Sequence, residues 1–249
     1  MKPTLILCPG IAKSGTTTLW RVLEDNGVIG HVDNKEPHYL SILYGKDYDE
    51  IYPTDIKFKF GTWLIEKNGF TTYSFDNYIQ YLKSISSPVD FSQTISNLPE
   101  HFLEEIRDVL LEHFKLKIIL IYRDPVERLF SHCTNLSIET NRWGCETKSP
   151  IEFFYDYIDK PVFQTLYTTV SSKFDRIFDD VISLSMEKFY RSQKEHDRLA
   201  EFLEVEHINM LNRKDNVTSY HSHKLSEKDI EIGKGKLKSS YEYYSTLIS

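Results

Sequence analysis

Residues Cys8 to Leu19, Cys-Pro-Gly-Ile-Ala-Lys-Ser-Gly-Thr-Thr-Thr-Leu, join two segments of different period. Before them, Pro3-Thr-Leu-Ile-Leu7 is a short apolar run that reads as a buried strand. After them, Leu19, Trp20, Val22 and Leu23 recur at helical spacing, and Gly27 stands one step past that pattern as its stop. A helix start presents unpaired N–H groups and partial positive charge, and Gly10 and Gly15 let backbone approach an anion closely. Strand, glycine turn and hydroxyl-rich helix start together predict a phosphate cradle. The bland alternative is an ordinary strand–turn–helix corner, which a lone G-x-x-x-x-G would favour.

The order of residues inside the loop narrows the reading. A Walker A loop runs G-x-x-x-x-G-K-[ST], with the lysine after the second glycine. Gly10 and Gly15 have that spacing, but Thr16 stands in the lysine's place, and Lys13 lies two residues before Gly15. This pattern, G-x-x-K-S-G-T-T-x-L, resembles the 5'-phosphosulfate loop of sulfotransferases that use 3'-phosphoadenosine 5'-phosphosulfate (PAPS). The resemblance implies that Gly10, Lys13, Ser14, Gly15, Thr16, Thr17 and Thr18 bind the donor. Backbone N–H groups from Ser14 to Thr18 hold its 5'-phosphosulfate, and Lys13 neutralises charge on the departing phosphate.

A chain of 249 residues suits one domain with a full core, and the expectation is a single sulfotransferase domain over 1–249. Acidic residues outnumber basic ones by 37 to 30, which argues against a general polyanion-binding surface and against nucleic acid as partner. An anionic donor then needs a local basic pocket. No signal peptide or membrane-length span precedes the first strand, so the expected location is cytoplasmic, without a membrane partner. Cys8, Cys133 and Cys145 are an odd set without metal spacing, as in a reduced compartment. Asn135-Leu-Ser137 and Asn216-Val-Thr218 match the glycosylation acceptor pattern, which has no meaning in the cytoplasm.

Gly27-Val-Ile-Gly-His-Val32 reads as a short strand running into Asn34-Lys35-Glu36-Pro37-His38-Tyr39. Pro37 disfavours helix at Glu36, which leaves Glu36 and His38 just past a strand end, where open α/β sheets place ligands. The heparan-type sulfotransferases carry a similar Glu-x-His-aromatic-aromatic segment. The resemblance makes Glu36 the general base and His38 the fallback; the bland reading is a turn cap or a pair with Lys35. Aromatics crowd residues 39–81 (Tyr44, Tyr48, Tyr52, Phe58, Phe60, Trp63, Phe70, Tyr73, Phe75 and Tyr78), as satellite core or as an acceptor cleft. Ser87 to Ser92 reads as the next strand and its exit. Relatives carry a lysine near its end that faces the acceptor; here Phe91 takes that place and Gln93 replaces a proline.

The β-branched run Lys117 to Tyr122 reads as a central strand, followed by Arg123 at its tip, Asp124 as N-cap and Pro125 as first helical residue. Val126, Leu129, Phe130 and Cys133 make the apolar stripe of that helix. Arg-Asp-Pro-Val-Glu-Arg-x-x-Ser-His resembles the 3'-phosphate motif of the same sulfotransferases. A guanidinium fork at Arg123 and the hydroxyl of Ser131 would share the phosphate oxygens. Arg128 and His132 read as structural.

Pro99 opens a scaffold helix, and 151–157 and 162–178 read as further helices. Val181 to Met186 is a strand closing at Glu187, for which a structural role is expected. Of the loop that folds over the donor in several relatives, only Tyr220 matches. Ser226-x-x-Asp229 resembles a capping box for a final helix through Tyr244.

The fold expected is α/β, a P-loop-type three-layer arrangement with a mostly parallel sheet flanked by helices. The activity implied is transfer of a sulfuryl group from PAPS, without a metal, to a hydroxyl or amine of a small-molecule or glycan acceptor. Two alternatives stand beside it. One is a P-loop nucleotide kinase, which needs a lysine after Gly15 and an acidic residue for Mg²⁺ at a strand end. The other is a module that keeps the nucleotide pocket without chemistry.

Overall fold

The structure, a computed structural model, describes residues 2–32, 34–44, 74–142, 144, 148–209 and 224–249. Tyr220, Cys145 and most of the aromatic-rich stretch (Tyr48, Tyr52, Phe58, Phe60, Trp63, Phe70 and Tyr73) lie outside them.

Four strands form one parallel sheet: β1 (Thr4–Gly10), β2 (Val89–Asp90), β3 (Lys115–Tyr122) and β4 (Val181–Ser185), in the order β2-β1-β3-β4. Alternation along β1 and β3 divides the core between the two faces. Leu5, Leu7, Ile118, Leu120 and Tyr122 point to one side. There they meet α3 (Phe75–Ser84), α4 (Glu100–His113) and α8 (Leu166–Ile177). Ile6, Cys8, Ile119 and Ile121 point to the other, against α1 (Thr16–Asp25) and α10 (Gln193–Leu203). Helix, sheet, helix: the architecture is three-layered α/β.

Lys117 breaks the apolar run of β3 and is 6% exposed. Its ammonium is held by Asp180 and Glu204, each at 3.2 Å, over the Phe202 ring.

The strand order fixes where a ligand can sit. From β1 the chain moves outward to β2, then crosses back to β3 on the other side of β1. The loops after β1 and β3 therefore diverge, and such a switch point opens a crevice at the carboxyl ends of the two strands. The glycine loop leaves β1 there, and Arg123 leaves β3 there.

Three predicted elements differ from the structure. Residues 27–32 are not a strand. Helix α1 ends in a paired cap, with Gly27 N–H donating to Glu24 O and Val28 N–H to Leu23 O, and Gly27 at φ +66°. That turn sends the chain away from the sheet, with Val28 packed in the same cluster as Leu23. The predicted helix 162–178 is broken at Thr165 into α7 (Pro161–Gln164) and α8. The break sends Phe163 into a side cluster with Phe153 and Tyr157, while Tyr167, Val170 and Phe174 join the main core. One straight helix could not serve both.

The final helix is likewise two, α11 (Glu227–Lys236) and α12 (Lys238–Ile248), turning at buried Leu237. The capping box of Ser226 with Asp229 is present. So is one at Ser149, before α6 (Pro150–Ile158). The short α2 (Tyr39–Leu43) and α9 (Met186–Phe189) complete the set used below, with α5 (Pro125–Arg142) the longest. Among the described residues no helix is long and apolar enough to cross a membrane.

Candidate functional site

The glycine loop is wound tightly. Ile11 N–H donates to Ile121 O at 3.0 Å, stitching the loop to the end of β3, and Ser14 N–H donates to Ile11 O at 3.2 Å. Lys13 (φ 69°) and Gly15 (φ 92°) both take left-handed backbone. Glycine does so freely, whereas a lysine there costs on the order of 1–3 kcal/mol, a strain typical of functional loops.

Gly15 is the N-cap of α1, no side chain caps that helix, and no acid lies in its first turn. Neither a capping side chain nor an acid of its first turn offsets the positive end of α1. The Ser14 N–H, expected among the donors, is instead spent inside the turn. Ser14 Oγ is fully buried and makes no hydrogen bond of good geometry, with Tyr167 as its polar neighbour. Thr18 is also buried, accepting from Tyr190 Oη at 2.6 Å.

Lys13 reaches across to α5, donating to Asn135 Oδ1 at 2.8 Å. Asn135, Ser131 and Glu127 stand one turn apart on that helix. Arg123, just before it, pairs with Glu127 Oε2 at 3.2 Å. Lys13 and Arg123 thus meet the two ends of one row of α5, Asn135 and Glu127, with Ser131 between them; two helical turns cover about 11 Å. Burial lowers the Lys13 pKa, with nearby Lys35 adding to it and Glu36 and Glu139 opposing. At the strand tip, Asp124 Oδ1 accepts from Val126 N–H and Glu127 N–H, each at 3.0 Å, which makes it the N-cap of α5.

Glu187, after β4, accepts from Asp124 N–H at 3.1 Å and from Tyr244 Oη. Tyr241 Oη donates to Asp124 Oδ2 at 2.7 Å, and Tyr167 Oη to Arg123 O at 2.5 Å. The tip that carries Arg123 is therefore held from three elements, and Glu187 is structural.

Glu36 and His38 do not follow a strand of their own. Phe91 N–H donates to Lys35 O at 3.1 Å, and His38 N–H to Ser92 Oγ at 2.7 Å, so the exit of β2 holds the segment. His38 has φ 53°, is buried, and has Nδ1 3.0 Å from Thr94 Oγ1 and Nε2 3.5 Å from Glu36 Oε2. Glu36 pairs with Lys35 and accepts from Gln93 Nε2 at 3.2 Å. The same Gln93 nitrogen donates to Thr16 Oγ1 at 2.7 Å. Lys35 Nζ lies 3.2 Å from Thr17 Oγ1 and 3.4 Å from Thr16 Oγ1. One polar network therefore joins Glu36 to the first turn of α1.

Burial works against the Glu36 charge. The hydrogen bond from His38 and the ammonium of Lys35 outweigh it and hold the carboxyl down to about 2. Phe91 takes no part. It is fully buried and packs edge-on to Trp20 with ring centroids 5.1 Å apart. Burying such a ring is worth roughly 1.5–3 kcal/mol, so Phe91 belongs to the core.

The Lys35–Glu36 pair is the one the sequence offered as the bland reading of Glu36. Gln93 and Asn135 were not read as neighbours of the loop; for Asn135 the signal was its position one turn past Ser131. Cys8 and Cys133 are buried, which pushes both thiols up to about 12 and leaves them inert.

No protein-family model matches the chain, and no curated protein does. Among solved structures it is similar to a chain from the structural characterization of the PezAT chromosomal toxin–antitoxin system of Streptococcus pneumoniae. Identity there is 16%, the TM-score 0.36, and 97% of this chain and 88% of that one are covered. A likeness of that degree carries no functional argument. The sheet order and the loop after β1 make the chain a three-layer α/β protein with a glycine-loop helix start at its switch point.

Proposed function

We propose that the chain binds 3'-phosphoadenosine 5'-phosphosulfate and is a sulfotransferase acting on an acceptor hydroxyl, with Glu36 as the base. The observation that carries this reading is the network joining Glu36 through Gln93 and Lys35 to Thr16 and Thr17 at the start of α1. It sets a carboxylate beside an anion cradle whose lysine, Lys13, precedes the second glycine. The donor set fits such an anion: an acid-free helix start, two ammonium groups and two hydroxyls. Arg123 and Ser131, at the row of α5 that Lys13 also reaches, fit a second phosphate.

When bound, the donor supplies an activated sulfuryl group. Lys13 and the first N–H groups of α1 hold the 5' end and offset the negative charge that grows there, a kind of donor whose loss costs about 10²–10³ in rate. Arg123, after releasing Glu127, holds the 3' end with Ser131. Glu36 takes the proton of the acceptor hydroxyl, a service worth about 10²–10⁴ in rate. His38 holds the carboxylate from behind and is the alternative base. The acceptor class is a carbohydrate or another small hydroxyl compound.

A second reading has one observation in its favour. A carboxyl held at about 2 by His38 and Lys35 is a weak base as it stands, which suits a nucleotide-binding protein without this chemistry.

Thermal shift with 3'-phosphoadenosine 5'-phosphate (PAP) against Mg-ATP separates the sulfotransferase from a kinase; preferential stabilisation by Mg-ATP overturns the proposal. With labelled donor and a panel of sugars and phenols, Glu36→Gln should lower kcat by about 10²–10⁴ without weakening PAP binding. Transfer at the wild-type rate in that variant would give the base role to His38, and no transfer to any acceptor by the wild type favours the binding protein.

A further inference from the structure

Lys35 is placed between two partners that want the same charge. Its ammonium pairs with Glu36 and lies within 3.4 Å of the Thr16 and Thr17 hydroxyls, at the uncapped start of α1. Its side chain is 18% exposed and its carbonyl is fixed by the Phe91 N–H, so the ammonium moves only within the reach of its own stem.

We infer that Lys35 is a second cationic contact for the anion at the glycine loop, and that it trades Glu36 for that anion. Phosphate or sulfonate oxygens at Thr16–Thr17 draw the ammonium off the carboxylate, so that filling the cradle and freeing the base become one event. The inference rests on the reading of the loop as an anion site and of Glu36 as the base. It adds a residue to that reading and sets an order, donor before proton transfer.

Other groups around the carboxylate do not make the same trade. His38, on its own segment, stays tied to Thr94. Gln93, from the turn after β2, is neutral and bonds Thr16 as well. Lys13, from the glycine loop, is a coulombic neighbour that reaches away to Asn135. Cys8 of β1 is buried with its thiol pushed up to about 12 and carries no charge. Asp90 of β2 is buried, is hydrogen-bonded by Tyr78 and Ser92, and has His38 as a coulombic neighbour. The His38 hydrogen bond, the foremost influence holding the Glu36 carboxyl down, stays in place, and Lys35 is the charged partner whose departure removes the rest. Burial, the largest influence on that carboxyl, pushes its pKa upward once the ammonium leaves.

The test is direct titration of the Glu36 carboxyl carbon by NMR in the full chain carrying labelled glutamate. It is run in wild type, Lys35→Met and Lys35→Arg, each alone, with PAP and with pyrophosphate. Glu36→Gln assigns the signal. In wild type, PAP should raise the Glu36 pKa by about one unit or more. In Lys35→Met the pKa should start above the wild-type value and move much less on PAP, and PAP affinity should fall about tenfold. Lys35→Arg should restore the low starting value and the response.

An equal PAP-induced rise in wild type and Lys35→Met would mean simple repulsion by the nucleotide and would overturn the trade. PAP binding with no movement of Glu36 also overturns it, while leaving the nucleotide reading intact. If pyrophosphate binds and moves Glu36 through Lys35 but PAP does not bind, the trade stands and the sulfotransferase proposal falls. If neither anion binds, both fall.

Discussion

At the scale of single residues the site is a set of competitions between charges. Arg123 is held by Glu127 at 3.2 Å in an exposed i, i+4 pair, which is worth at most about 1 kcal/mol. Under the proposed function a phosphate displaces it, so Glu127→Gln should tighten PAP binding a few-fold at low salt, with the gain fading as salt rises; calorimetric titration checks this. His132 is the other case. It is buried between the Tyr157 and Phe163 rings, and burial together with Arg128, Lys13 and Lys160 holds its pKa down to about 3. Unfolded, the ring takes up its proton near 6.5; folded, only near 3. Its neutral form therefore favours the fold fully above about pH 6.5, and that contribution is lost as pH falls towards 3. His132→Gln should flatten the fall in Tm between about pH 6.5 and pH 4, as followed by circular dichroism. Motif order in the sequence names Lys13, Glu36 and Arg123 as candidates, and adjacency offers the Lys35–Glu36 pair that the structure has. It does not name Gln93 or Asn135, whose contacts depend on side chains meeting across elements: Lys13 and Asn135 are 122 positions apart. Nor does any propensity announce the left-handed backbone of Lys13 and His38.

At the scale of elements, period and punctuation went far. The apolar runs of β1, β3 and β4, the N-cap at Asp124 and the capping box at Ser226 all lie where residue type and spacing put them. What pattern did not reveal was where a helix must turn to serve two cores, as at Thr165 and Leu237. Periodicity is continuous through both breaks, and only the position of the neighbouring layers decides. The segment after α1 is a second instance. Its β-branched residues read as strand, yet Gly27 turns them off the sheet. A Cβ at Gly27 would meet nothing within 4 Å. Gly27→Ala should therefore cost about 1–2 kcal/mol through backbone strain alone, and Gly27→Asn less; urea unfolding with unchanged m-value would show it.

For the whole molecule, the parallel order β2-β1-β3-β4 brings the glycine loop and the Arg123 turn to one crevice although more than a hundred residues separate them. A ligand with phosphates at both ends should bridge the two strand exits. Hydrogen exchange should then show PAP protecting both 10–19 and 123–135, while ADP, lacking the 3'-phosphate, protects the first stretch and leaves the second near its free rate. Equal protection by the two would remove Arg123 and Ser131 from the site. The tyrosines of α12 carry the argument one step further. Tyr241 grips Asp124 from 117 positions away, and Tyr244 grips Glu187. Helix α12 is thus a clasp over the tips of β3 and β4, and it fixes the turn that carries Arg123. If the proposed function holds, loosening that clasp would blur the grip on the donor's 3'-phosphate while the sheet beneath kept its shape.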